Sequence, residues 1–131
     1  MRVTNQEGSV LSLKNKVEVF FVKSIKHRKK KGFCMTRDVM SVIIDKWSLI
    51  IIYNLGYFEN MRFGELKGNI RDISSRMLSV TLKKLEAHDI IQRESFSEVP
   101  PRVEYCLTPL GIELAEKTVE LNDWFLDRFV Q

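Results

Sequence analysis

The sequence predicts a mainly helical α+β fold: a succession of helices, one β-hairpin and a long closing helix. Three observations lead there. Apolar residues recur at three- and four-residue spacing between Thr36 and His88. Two segments of strand character, 90–96 and 103–107, flank a loop containing Pro100-Pro101. Thr108-Pro109 then opens a last helical stretch, with Thr as cap and Pro in the first turn.

Residues 1–33 read as an extension. Val10, Leu13, Val17, Phe20, Phe21 and Ile25 recur at helical spacing. The β-branched and aromatic run from Val17 to Val22 also suits a strand, and the helix is preferred. Lys26 to Lys31 holds five Lys/Arg among six residues and precedes Gly32. It reads either as a basic arm touching DNA phosphates or as a solvated linker.

Thr36 caps a helix carrying Val39, Met40, Ile43 and Ile44. The next helix holds Trp47, Leu49, Ile50, Ile51, Ile52 and Leu55 and stops at Gly56. It is apolar almost all round, as befits a central core helix. Arg62-Phe63 begins a short helix with Leu66 and Ile70. Asp72-Ile73-Ser74 leads into another, which ends near His88-Asp89, residues that tolerate a left-handed turn. That helix carries Met77, Leu78, Leu82 and Leu85 on one face, and Ser75, Arg76, Ser79, Val80 and Lys83 on the other. The closing helix carries Leu114, Ala115, Leu121, Trp124, Phe125 and Phe129. Three helices followed by a hairpin form the layout of a winged helix-turn-helix. In that layout the third core helix, about Ser74 to His88, enters the DNA major groove and the hairpin flanks it as a wing. The expected division is an extension at 1–33 and a winged-helix domain at 34–131, with its terminal helix at 109–131.

Composition narrows the function. With 131 residues, 44% hydrophobic and 29% charged, the chain suits one soluble globular domain. No apolar run approaches the roughly 20 residues that span a bilayer, and no secretory signal pattern opens the chain, so a cytoplasmic protein is expected. Cys34 and Cys106, two isolated thiols, make no disulfide framework for a chain of this size and are too few and too far apart for a zinc site, and His27 and His88 lie at no metal-ligand spacing with them. There is no nucleophile elbow, phosphate loop or Ser/His/Asp set, and Glu113, Glu116 and Glu120 read as a solvated helix face. Neither catalysis nor a metal or other cofactor is expected.

Net charge is +4, and it is unevenly placed. Residues 1–33 carry nine Lys/Arg and two acids, residues 62–93 seven and four, and residues 109–131 two and five. This separation suggests one face for a polyanion and another turned away from it. Ser75 and Ser79 are small enough to sit against base edges, beside Ser74 at the helix start. Arg76 can grip guanine in a bidentate manner or bind phosphate. Lys83 and Lys84 suit phosphates, and Arg102 at the wing suits an adjacent minor groove or its backbone. Val80 either meets a thymine methyl or tucks against a neighbouring helix.

Several motifs together resemble the HxlR family of winged-helix transcriptional regulators, relatives of the MarR group. They are Lys46-Trp47 with Leu49-Ile50-Ile51; Arg62-Phe63-Gly64-Glu65-Leu66; Ile73-Ser74-Ser75-Arg76-Met77-Leu78 with Leu82-Lys83-Lys84-Leu85-Glu86; and Pro101-Arg102-Val103-Glu104-Tyr105 with Leu107-Thr108 and Gly111. The resemblance covers roughly Cys34 to Trp124. It implies a homodimer that binds operator DNA through two recognition helices roughly 34 Å apart, with terminal helices at the dimer interface. Leu121, Trp124, Phe125 and Phe129 fit that interface, since the last helix is apolar over more than one stripe. Cys34 stands thirteen residues before Trp47, where several relatives carry an oxidant-sensing thiol. The chain departs from the family at Met35, usually Pro, and at Ile44-Asp45, usually Gly-Gly. Cys34 is therefore either a redox sensor or an inert thiol, and Cys106 reads as core. The resemblance implies sequence-specific binding of double-stranded DNA; the alternative is a winged-helix protein-interaction module that binds no DNA.

Overall fold

A computed structural model of the chain describes residues 12–23 and 45–130. The chain divides into two units, Met1–Ser41 and Val42–Gln131. In the first, residues 12–23 form helix α1, and all twelve are exposed. The helical spacing thus prevails there over the β-branched run. Val10, Ile25, the basic run 26–31, Cys34 and the expected helix after Thr36 lie outside the described residues.

In the second unit, helix α2 (Lys46–Phe58) starts at Asp45, whose carboxylate accepts the Trp47 amide hydrogen at 2.8 Å. Ser48, Ile51, Ile52 and Leu55 are buried, so α2 is the central helix as expected. It does not stop at Gly56. It runs on to Phe58 and ends where Glu59 adopts a left-handed φ of 71°. Gly56 packs laterally instead, where an added Cβ would lie 3.7 Å from a Leu107 methyl.

Helix α3 (Phe63–Asn69) is short, and the Glu65 carboxylate folds back to accept the Arg62 amide hydrogen at 2.7 Å. Leu66 and Ile70 anchor it in the core. Asp72, at φ 68°, turns the chain into helix α4 (Ser75–Ala87). Ser74 caps α4 by accepting the Met77 amide hydrogen at 3.0 Å. The helix ends at His88, and Asp89 makes the left-handed turn at φ 61°.

Strands β1 (Ile91–Phe96) and β2 (Arg102–Leu107) pair antiparallel, from Ile91 opposite Leu107 to Phe96 opposite Arg102. A further rung joins them to the helices. Met61 and Tyr105 exchange both backbone hydrogen bonds, at 3.0 and 2.8 Å. Helix α5 (Pro109–Phe129) closes the unit. Its cap, Thr108, accepts the Gly111 amide hydrogen at 3.0 Å and donates to the Asp89 carbonyl at 2.6 Å. The start of α5 is thereby laid directly on the turn that ends α4. The observed order, helices then hairpin then long helix, is that of a winged helix. No helix among the described residues is long and apolar enough to cross a membrane.

Candidate nucleic-acid interface

Helix α4 is two-faced. Leu78, Thr81, Leu82 and Leu85 are buried and hold it in the core. Ser75, Arg76, Val80 and Lys83 are exposed, with Ser79 half-buried among them. At 3.6 residues per turn these five residues span an arc of roughly 140°, opposite the buried one. Val80 is therefore open to solvent rather than tucked inward. Met77, expected in the core, is partly exposed. Thr81 takes the inward place, with its hydroxyl satisfied by the Met77 carbonyl at 2.7 Å. A short β-branched residue whose hydroxyl bonds back along the helix costs little to bury.

The two lysines expected to meet phosphates differ in situation. Lys83 is exposed and sits beside Arg76 on the open arc. Lys84 is half-buried, and its ammonium donates to the Asp45 carboxylate at 2.9 Å. Burial alone would raise the Asp45 pKa. The Lys84 ammonium and the Trp47 and Ser48 amides outweigh it and hold that carboxyl below its ordinary range. The Asp45 carboxylate therefore stays ionised at neutral pH, and its pairing with Lys84 fixes the C-terminal half of α4 to the start of α2.

Arg102 also sits differently from the expectation of a free wing-tip side chain. It is the first residue of β2, and its guanidinium lies 4.0 Å from the centroid of the Phe96 ring. It forms ion pairs with Glu98 at 2.8 Å and with Glu104 at 3.3 Å. Three further cations that the sequence did not mark as DNA contacts, Arg62, Lys67 and Arg71, are all exposed around α3 and the turn into α4. The excess of basic residues over 62–93 was the signal that includes them. Ser74 is spent on capping, so its hydroxyl holds the helix start rather than standing free.

The far half of α5 projects away from the core. Leu121, Trp124, Phe125 and Phe129 are 45–71% exposed, and the three rings cluster with centroids 5.2–6.5 Å apart. Nearer the core, Asn122 donates to the Tyr53 hydroxyl and ties α5 to α2. Cys106, expected in the core, is half-buried on β2. Burial pushes its thiol pKa up, and Glu94 and Glu104 add to the shift. That environment disfavours a reactive thiolate.

The HxlR-like helix-turn-helix family matches residues 42–130. The HTH-type transcriptional regulator YtfH of Escherichia coli K12 is 36% identical over 91 residues, which span 70% of this chain and 71% of YtfH. Among solved structures, the reduced form of the transcriptional regulator YodB from B. subtilis superimposes with a TM-score of 0.66 at 30% identity. That match covers 75% of this chain and 96% of YodB. The redox regulator HypR in its oxidised form gives a TM-score of 0.64 at 34% identity, over 72% and 97% of the two chains.

Proposed function

Because the chain belongs to the HxlR-like helix-turn-helix family of transcriptional regulators, we propose that it acts as a homodimer on double-stranded operator DNA, in the cytoplasm. Ser75, Arg76, Ser79 and Lys83 face the major groove. The observation that carries this reading is the open arc of α4: small, polar and basic side chains on a helix whose other side is locked into the core. A groove about 12 Å wide accepts one such helix. Lys67 and Arg71, exposed on α3 and on the turn into α4, suit phosphates beside the groove. Leu121, Trp124, Phe125 and Phe129 on α5 meet their counterparts in the second copy. The winged-helix domain of 34–131 is the working unit, and 1–33 is an addition to it.

Arg76 is the residue to remove first. Arg76→Ala should lose 1–3 kcal/mol of binding, roughly five- to 150-fold, if it grips a base. Lys83→Ala should weaken binding to all sequences alike and lower the salt dependence. Fluorescence anisotropy on genomic fragments selected by footprinting reads both effects. Wild-type protein that binds no duplex at low salt would leave the protein-interaction reading in place.

Control by thiol oxidation at Cys34 is a second reading, favoured by the likeness to the redox regulator HypR and by the unreactive setting of Cys106. The expected result is oxidant-sensitive DNA binding in wild type and none in Cys34→Ser. Equal responses in the two proteins remove it.

A further inference from the structure

We propose that Glu98 is a latch on the wing: it occupies Arg102 in place of a DNA phosphate, and the wing gains a backbone contact only where DNA displaces it. This rests on the DNA-binding reading above and adds a residue that sets how strongly the wing contributes.

The geometry orders the partners of Arg102. Its guanidinium is stacked on Phe96, its direct cross-strand neighbour, at 4.0 Å from the ring centroid. The ring covers one face, so bonding is left to the edges. One terminal nitrogen, Nη2, pairs with the Glu98 carboxylate at 2.8 Å, and the other, Nη1, with that of Glu104 at 3.3 Å. The third nitrogen, Nε, is buried without a partner. The Glu104 side chain is 22% exposed and belongs to β2, whereas the Glu98 side chain is 51% exposed and belongs to the loop. A backbone bond from the Glu98 amide to the Phe96 carbonyl, 2.9 Å, holds that loop residue over the guanidinium. The exchangeable partner is therefore Glu98. Replacing it with a phosphate leaves the ring stack and the Glu104 pair in place, because guanidinium offers carboxylate and phosphate the same planar donor edge.

Charge gives the latch its effect. Residues 91–107 carry Arg93 and Arg102 against Glu94, Glu98 and Glu104, a net of −1. A wing so charged does not draw in a polyanion on its own. Arg102 becomes available only after α4 has brought the duplex alongside. Glu98 thus suppresses binding to arbitrary sequence, where docking of α4 is weak, and is displaced where docking is strong.

Anisotropy with a mixed-sequence 30-base-pair duplex across a series of NaCl concentrations tests this, using full-length wild type, Glu98→Gln, Arg102→Ala and the double variant. Glu98→Gln should tighten binding about fivefold and steepen the log–log salt slope by about 0.9, the value of one added phosphate contact. In the Arg102→Ala background the same change should yield less than half that gain. Where Arg102→Ala melts non-cooperatively, Arg102→Lys, which loses the planar fork, replaces it as background. Two results overturn the latch while leaving DNA binding intact: Glu98→Gln binding no tighter than wild type, or an undiminished gain without Arg102, which would mean that the carboxylate merely repels phosphates. Wild type that binds no duplex overturns the underlying reading instead.

Discussion

Alanine at position 111 is expected to cost about 3 kcal/mol or more of folding stability and to lower the melting temperature by roughly 12 °C or more. An added Cβ would stand 2.1 Å from the Ile90 carbonyl oxygen, 3.1 Å from its carbon and 3.2 Å from a Leu107 methyl. Two of those atoms are backbone, so no side-chain rotation relieves the clash. The backbone cannot retreat cheaply, because the Thr108 amide and hydroxyl lie within 3.1 Å of the same Ile90 carbonyl. Gly111 is required here for closeness. The junction it permits joins the end of α4, the start of β1 and the first turn of α5. Gly68→Ala is the control. A Cβ there meets nothing within 4 Å, so the helix-propensity gain of about 0.5–1 kcal/mol should appear as unchanged or slightly higher stability. Thermal melts of the two variants compare them directly. Equal melting temperatures would contradict the close-packed junction.

The parts of this architecture legible in the sequence are those written by neighbouring residues. Ser74 and Thr108 announce helix starts because a hydroxyl reaches the amide three residues on. His88-Asp89 announces a stop because Asp tolerates the left-handed turn it adopts. The open arc of α4 follows from the 3.6-residue period alone. What escaped the reading depends on partners distant in the chain. Lys84 looks like a free cation until α2 brings Asp45 to it from 39 positions away. Arg102 looks like a wing-tip probe until hairpin register sets it over Phe96 and between two carboxylates. Gly56 looks like a helix end, yet the left-handed residue that ends α2 is Glu59, beyond it. The Met61–Tyr105 rung is likewise a pairing across 44 positions that no local pattern announces.

The second large effect concerns assembly. On the proposed dimer, the double substitution Trp124→Glu with Phe125→Glu should convert the protein to a monomer, weakening self-association more than about 100-fold, because two carboxylates would be buried without partners in the proposed apolar contact. The winged-helix core should be spared. Neither residue belongs to the core cluster around Ile51, Ile52, Leu66 and Leu78, and both are about half exposed in the single chain. Sedimentation velocity reads the assembly state, and near-unchanged circular dichroism reads the intact fold. DNA affinity should fall together with dimerisation, since two coupled recognition helices bind with an effective concentration that one lacks. A double variant that sediments as wild type would contradict the proposed dimer contact through these residues.

The position of DNA on the protein can be read residue by residue from backbone amide NMR shifts as a duplex carrying a footprinted site is titrated in. The largest changes should map to 71–84, on the turn before α4 and along its open arc, with smaller ones at the wing around Glu98 and Arg102. Shifts confined to α5, or spread evenly without a maximum on α4, would contradict the assignment of that helix to the major groove.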